Sequence, residues 1–259
     1  MKVLVTGANG QLGYDVVRRL KKNDVECLGV DIAEFDITDE LQTIEYIIKY
    51  KPDVVIHCAA YTVVDKAEDE RESCYNINVL GTRYIAKACK EIDTKMVYIS
   101  TDYVFNGEGD KPFEVTDIPN PINYYGQTKY EGELEVQKLL TKYFIVRISW
   151  VFGSNGNNFV KTMLKLGRER DELSIIADQV GSPTYTYDLA PLLVDMIQTE
   201  KYGIYNATNE RYCSWYEFAC EIFKQTGMDV MVNPIKTEDY PMKVKRPKNS
   251  RLYTSRFTK

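Results

Sequence analysis

The stretch "KVLVTGANGQLGYDVVRRLKK" (residues 2–22) constrains the fold more than any other part of the chain. A short apolar run ends in Gly7, Gly10 and Gly13, and a segment of helical periodicity follows at once. Glycine at such a joint permits a tight turn, lets backbone approach a pyrophosphate and lets helix pack closely on strand. The unpaired N–H groups of the helix start then face the phosphates. The spacing is G-x-x-G-x-x-G rather than the commoner G-x-G-x-x-G. Asp31 ends the second strand, close to the ~20 residues past the glycines expected of a carboxylate that holds the adenosine ribose. An acid there repels a 2′-phosphate, so NADH is the preferred cofactor, with NADPH second. Three turn glycines and a capping aspartate are the plainer alternative; the strand–turn–helix context favours a dinucleotide.

The rest of the N-terminal part keeps the same rhythm. "VECLGVD" (25–31), "DVVIHCAA" (53–60), "KMVYIST" (95–101) and "FIVRISWVFG" (144–153) read as strands. Helical periodicity spans 39–50, the stretch around "NVLGTRYIAKACKEI", and a segment from near Gln127 to about Leu140. A continuous apolar run such as 53–60 is the form of a parallel strand buried on both faces. The expectation is an α/β fold, a doubly wound parallel (Rossmann) sheet with a second, smaller substrate-binding lobe. After Gly153 the alternation breaks. "SPTYT" reads as a turn, and "GIYNAT" (203–208) as a strand returning to the main sheet. Residues 1–153 and 184–208 are expected to form the dinucleotide-binding domain, and 154–183 and 209–259 the nucleotide-sugar-binding lobe.

Composition narrows the function classes. A net charge of −5 argues against nucleic acid or anionic membrane as a general partner. No apolar run approaches the ~20 residues that span a bilayer, and "KVLVT" leads into glycines rather than a signal-peptide cleavage site. The six cysteines are scattered, without C-x-x-C, and with the single His57 leave no zinc spacing, so no metal is expected. They read as small half-buried residues of a reducing cytoplasm. His57, inside "VVIHCAA", reads as a core histidine rather than the base of a Cys–His pair.

"YYGQTK" (124–129) sets Tyr125 four residues before Lys129, one helical turn apart on one face. The spacing alone decides nothing, because chance places about two such pairs in a chain with 20 tyrosines. Beside a dinucleotide cradle it gains meaning. Reduction of a ketone needs a proton at oxygen; Tyr125 can supply it, and a nearby Lys129 ammonium would lower the phenol's pKa from about 10. Thr101, at a strand end, can hydrogen-bond the carbonyl oxygen as charge develops. The plainer alternatives are a surface Tyr–Lys contact and a turn-capping threonine.

Gly7-x-x-Gly10-x-x-Gly13 with Tyr125-x-x-x-Lys129 resembles the extended short-chain dehydrogenase/reductase family, in its nucleotide-sugar branch. "TGANGQLG", "CAAYTVVDKAE", "STDYVFNG", "YYGQTKYEGE", "RISWVFG", "NNFVKTML", "DQVGSPTYT" and "RPKNSRL" together are similar to the dTDP-4-dehydrorhamnose reductase group of that family, in order along nearly the whole chain. The resemblance implies a hydride transfer from NAD(P)H to the 4-keto group of dTDP-4-dehydro-6-deoxy-L-mannose, giving dTDP-L-rhamnose. It places the cofactor on Gly7, Asn9, Gly10, Gln11, Leu12, Gly13 and Asp31. Asp36, Ile37, Ala59, Ala60, Tyr61 and Asn76 join from later strand ends and helices, with Tyr125 and Lys129 at the nicotinamide. For the sugar nucleotide it implies Thr62, Asp65, Thr101, Phe105, Trp150, Asn158, Lys161, Arg246 and Asn249. Trp150 reads equally well as a core tryptophan, and "KVKRPKNSR" as a solvated run. Asp15 and Asp188 match acids that hold magnesium at a dimer contact in some relatives, so a homodimer is allowed; the matching acid of the tail is missing, and no metal is expected. Family members usually continue with a further helical segment where this chain stops, at Lys259. Two rival readings stand beside this one: another epimerase or reductase of the same fold, and a non-catalytic protein like the regulatory subunit of methionine adenosyltransferase. A dehydratase is disfavoured because Tyr103 follows Asp102 where dehydratases carry glutamate.

Overall fold

The computed structural model describes residues 1–254. The first half alternates β1 (Lys2–Thr6), α1 (Gln11–Lys22), β2 (Glu26–Val30), α2 (Glu40–Tyr50) and β3 (Val54–His57). Short helices α3 (Val64–Ala67) and α4 (Arg71–Tyr75) lead through a π-helical turn (Asn76–Gly81) into α5 (Thr82–Glu91), and β4 (Lys95–Thr101) follows. Beyond a loop come α6 (Tyr124–Leu139), β5 (Tyr143–Ile148), β6 (Val151–Phe152) and α7 (Phe159–Glu169). Strands β7 (Glu172–Ile176), β8 (Val180–Gly181) and β9 (Thr184–Tyr185) precede α8 (Thr186–Met196) and β10 (Gly203–Asn206). The described chain closes with β11 (Cys213–Ser214), α9 (Trp215–Thr226), β12 (Met231–Ile235) and β13 (Asn249–Ser250).

Six parallel strands form the main sheet in the order β10-β5-β4-β3-β1-β2. Successive side chains of a strand point to opposite faces, and the two cores follow that alternation. Val3, Val5, Val54, Ile56, Phe144 and Val146 pack with α1 and α8 on one face. Leu4, Val55, Met96, Tyr98 and Ile145 pack with α2, α5 and α6 on the other. The periodic Leu12, Val16 and Leu20 of α1 are the stripe that seats this helix. A separate cluster, Met163, Leu173, Ala219, Ile222 and Phe223, joins α7 and α9 to the small β7–β12 sheet. The last five residues of the expected second lobe, 255–259, lie outside the described residues.

Three expectations about elements are corrected. Helix α6 starts at Tyr124 rather than near Gln127, because the Asn123 side chain caps it by accepting from Gly126 N. The expected strand 144–153 ends at Ile148; Trp150 takes a left-handed φ of 48° and sends β6 away to pair with β9. That pairing also makes part of the expected turn "SPTYT" a strand. His57 is a core residue, with Nδ1 2.7 Å from Thr6 Oγ1 and Nε2 3.2 Å from Thr82 Oγ1.

Candidate active site

A cleft of about 1020 Å³ opens at the carboxyl ends of the main-sheet strands, where ligands meet open α/β sheets. Its floor is the glycine loop. Gly7 sits at φ +68°, and a Cβ there would meet Ala59 N at 2.6 Å; one at Gly13 would meet the Gly7 carbonyl at 2.1 Å. Gly13 therefore serves the packing of α1 on β1, while Gly7, Asn9, Gly10, Gln11 and Leu12 line the cleft. No side chain caps the start of α1, so its N–H groups face the cleft as an anion cradle. At the far end Asp31 accepts from Asn9 N and Ile32 N, each at 3.0 Å. Asp36, Ile37, Ala59, Ala60 and Asn76 complete that wall. Tyr61 does not: its hydroxyl turns to Glu70 at 2.7 Å and its amide to Asn78.

Volume, glycine floor, helix terminus and the Asp31 carboxylate at the far end fit a nicotinamide dinucleotide. When bound, such a group supplies a hydride; the residues around the other end of the cleft determine what is done with protons.

There the end of β4 meets the first three turns of α6. Thr101, Tyr125 and Lys129 all line the cleft; the Thr101 hydroxyl donates to Asp102 Oδ1 at 3.0 Å and accepts from Tyr103 N at 3.2 Å. The Lys129 ammonium donates to the Ile99 carbonyl at 2.8 Å and lies 4.1 Å from the centroid of the Tyr98 ring. Burial pulls the Lys129 pKa down to about 7, against the raising effect of Glu133. The expected acidification of Tyr125 is corrected: burial, with the Asp102 carboxylate, raises its pKa well above the ordinary phenol value, and the Thr101 hydroxyl is what lowers it. The phenol is thereby held protonated, the form a proton donor needs. Asp102, which residue-type reasoning passed over although it adjoins Thr101, also lines the cleft; burial raises its pKa to about 6.

Six of the residues expected at the sugar nucleotide divide into three pairs. Thr62 and Trp150 line the cleft, and Trp150 stacks on Trp215 with centroids 3.5 Å apart. Arg246 and Asp65 stand apart from the cleft wall as an ion pair at 2.7 Å; one buried polar atom of each, Arg246 Nε and Asp65 Oδ1, has no partner within the described residues. Asn158 caps α7 and donates to Gln11 Oε1 and the Gly153 carbonyl, and Lys161 donates to the Ser154 and Gly156 carbonyls. These two fasten a loop whose Gly156 reaches the cleft.

Two of the expected contacts are corrected. Phe105 is a core residue, 1% exposed and stacked on Phe113 at 4.4 Å. Asn249, also 1% exposed, spends its amide on the Glu108 and Lys111 carbonyls and accepts from Arg251. Neither has a polar or apolar face left toward the cleft. Asp15 accepts from Thr186 and Asp188 from Asn209.

Comparison with known proteins agrees with this geometry. Residues 1–259 match the family described as the RmlD substrate binding domain. The dTDP-4-dehydrorhamnose reductase of Aggregatibacter actinomycetemcomitans is 44% identical, the match covering 97% of this chain and 90% of that protein. The chain belongs to the dTDP-4-dehydrorhamnose reductase family. Among solved dTDP-4-dehydrorhamnose reductases, that of Bacillus anthracis in complex with NADP superposes with a TM-score of 0.97 at 45% identity, covering 100% of this chain and 92% of that one. The Clostridium acetobutylicum reductase gives 0.96 at 47% identity, with 98% and 91% covered. No helix among the described residues is long and apolar enough to cross a membrane.

Proposed function

We propose that the protein reduces the 4-keto group of dTDP-4-dehydro-6-deoxy-L-mannose to give dTDP-L-rhamnose, with a reduced nicotinamide dinucleotide as hydride source. The observation that carries this reading is the meeting of Thr101, Tyr125 and Lys129 in one dinucleotide-sized cleft. Thr101 and the Tyr125 hydroxyl hydrogen-bond the ketone oxygen. As hydride reaches the carbon, that oxygen becomes an alkoxide, far more basic than any phenolate, and it takes the Tyr125 proton. Lys129 then stabilises the phenolate left behind. Trp150, supported by Trp215, offers an apolar wall to the deoxysugar or thymine. Arg246 supplies a guanidinium for the diphosphate when it leaves Asp65.

NADH is the preferred cofactor in this reading and NADPH the second, because the charge of the Asp31 carboxylate on the cleft wall would oppose a 2′-phosphate. Residues 1–153 with 184–208 form the dinucleotide-binding domain, and 154–183 with 209–259 the nucleotide-sugar lobe; the separate core of α7, α9, β7 and β12 supports that division. Free cysteines throughout support a reducing cytoplasm. Mixing the purified protein with the 4-keto sugar nucleotide and NADH tests the proposal. Loss of nicotinamide absorbance, with dTDP-L-rhamnose formed, is expected; none from well-folded protein would refute it.

A further inference from the structure

Tyr125, Lys129 and Glu133 follow one another at four-residue steps on one face of α6, and all three are buried. The end of β4 answers them in turn. Thr101 shares the cleft wall with Tyr125, the Ile99 carbonyl accepts from Lys129, and Ser100 Oγ donates to Glu133 Oε1 at 2.5 Å. Arg147, opposite Ser100 on β5, completes the Glu133 site by donating to both carboxylate oxygens at 2.9 and 2.7 Å. Glu133 is 0% and Arg147 2% exposed. A buried ion pair adds little net stability, so its presence one turn behind the reacting lysine asks for another reason.

We propose that Glu133 is a positioning residue, which keeps the Lys129 side chain cationic and seats α6 so that Tyr125 meets Thr101. The proposal rests on the roles given above to Tyr125 and Lys129. The titratable and charged groups that act on Lys129 are His57 and Cys58 at the end of β3, Cys74 on α4, Tyr98 on β4 and Glu133 on α6, with the Arg147 cation of β5 paired to Glu133 behind it. Glu133 is the carboxylate in that set. Burial keeps the His57 imidazole uncharged at neutral pH and the Cys58 thiol protonated. The close seating of α6 on β4 shows at Gly132, where a Cβ would meet the Tyr98 hydroxyl at 2.3 Å.

The test follows NADH binding to the full chain against pH by tryptophan fluorescence, in parallel with turnover. Affinity should weaken as pH rises through the Lys129 titration. Glu133→Gln should move that limb to lower pH by about one pH unit, and Glu133→Asp should restore it. The double variant Glu133→Gln/Arg147→Met exchanges the ion pair for neutral groups, which buried sites tolerate; its limb should move the same way by a smaller amount, because no unpaired Arg147 cation is left, and it carries the test if the single variant does not fold. A limb left at the wild-type pH in folded variants, with only stability or turnover reduced, would overturn the positioning role. A wild-type protein that binds NADH with the expected limb yet leaves the 4-keto sugar unreduced would count against the proposed function alone. Absence of NADH binding would overturn both.

Discussion

Asn123 joins the helix that carries Tyr125 to the C-terminal segment: its Nδ2 donates to the Lys245 carbonyl at 3.0 Å while its Oδ1 accepts from Gly126 N at 2.8 Å. One side chain thus caps α6 and fixes the residue next to Arg246. Asn123→Ala should lose about 1 kcal/mol of stability, measured by denaturant unfolding. Asn123→Asp keeps the cap but turns an oxygen toward the Lys245 carbonyl. It should raise KM for the sugar nucleotide severalfold with kcat nearly unchanged. Equal KM values would show that the 245–246 segment does not depend on this bond.

Tyr125→Phe should reduce kcat by about 10²-fold or more while NADH affinity, read by fluorescence, stays within twofold. Thr101→Val should fall between wild type and Tyr125→Phe, since it removes the hydroxyl whose influence offsets the burial of the phenol.

Asp31→Ser should raise the ratio of NADPH to NADH catalytic efficiency by about tenfold, by removing the charge that opposes a 2′-phosphate. An unchanged ratio, measured with both cofactors on one preparation, would refute the ribose-side role of Asp31.

His57 contributes to the loss of stability on the acid side. Burial lowers its pKa from 6.5 to about 3, so the unfolded chain binds a proton that the folded one refuses. The stability it contributes is present above 6.5 and is lost as pH falls toward 3, by several kcal/mol in all. Asp102, raised to about 6, acts in the opposite sense: it favours the fold below its unfolded value of about 4, and that contribution is lost as pH rises through 6. His57→Gln should flatten the acid limb of a stability–pH curve, most clearly in an Asp102→Asn background. A limb of unchanged steepness would assign acid unfolding to other groups.

The cradle was legible because it is local. Gly7, Gly10 and Gly13 act within one strand–turn–helix unit, and the steric reasons that demand glycine there are reasons of chain geometry. The parallel, doubly wound character of the sheet was legible in the alternation of strands and helices for the same cause. The start of α6 was misplaced by three residues, because the capping power of Asn123 depends on its backbone lying extended, at φ −145°.

Spacing along the chain determined which residues share a face: Tyr125 and Lys129 on α6, the glycines beneath the phosphates, the apolar stripes that build two cores. Only the tertiary structure decided what each side chain meets across elements. Phe105 went to the core because Phe113, Tyr130 and Leu252 pack on it, and Asn249 because the Glu108 and Lys111 carbonyls take up its amide. The Tyr125 phenol became a retained acid rather than an acidified one, because desolvation is a property of everything packed around a group. Glu133 acquired its partner from β5, a strand whose distance no count of residues could supply.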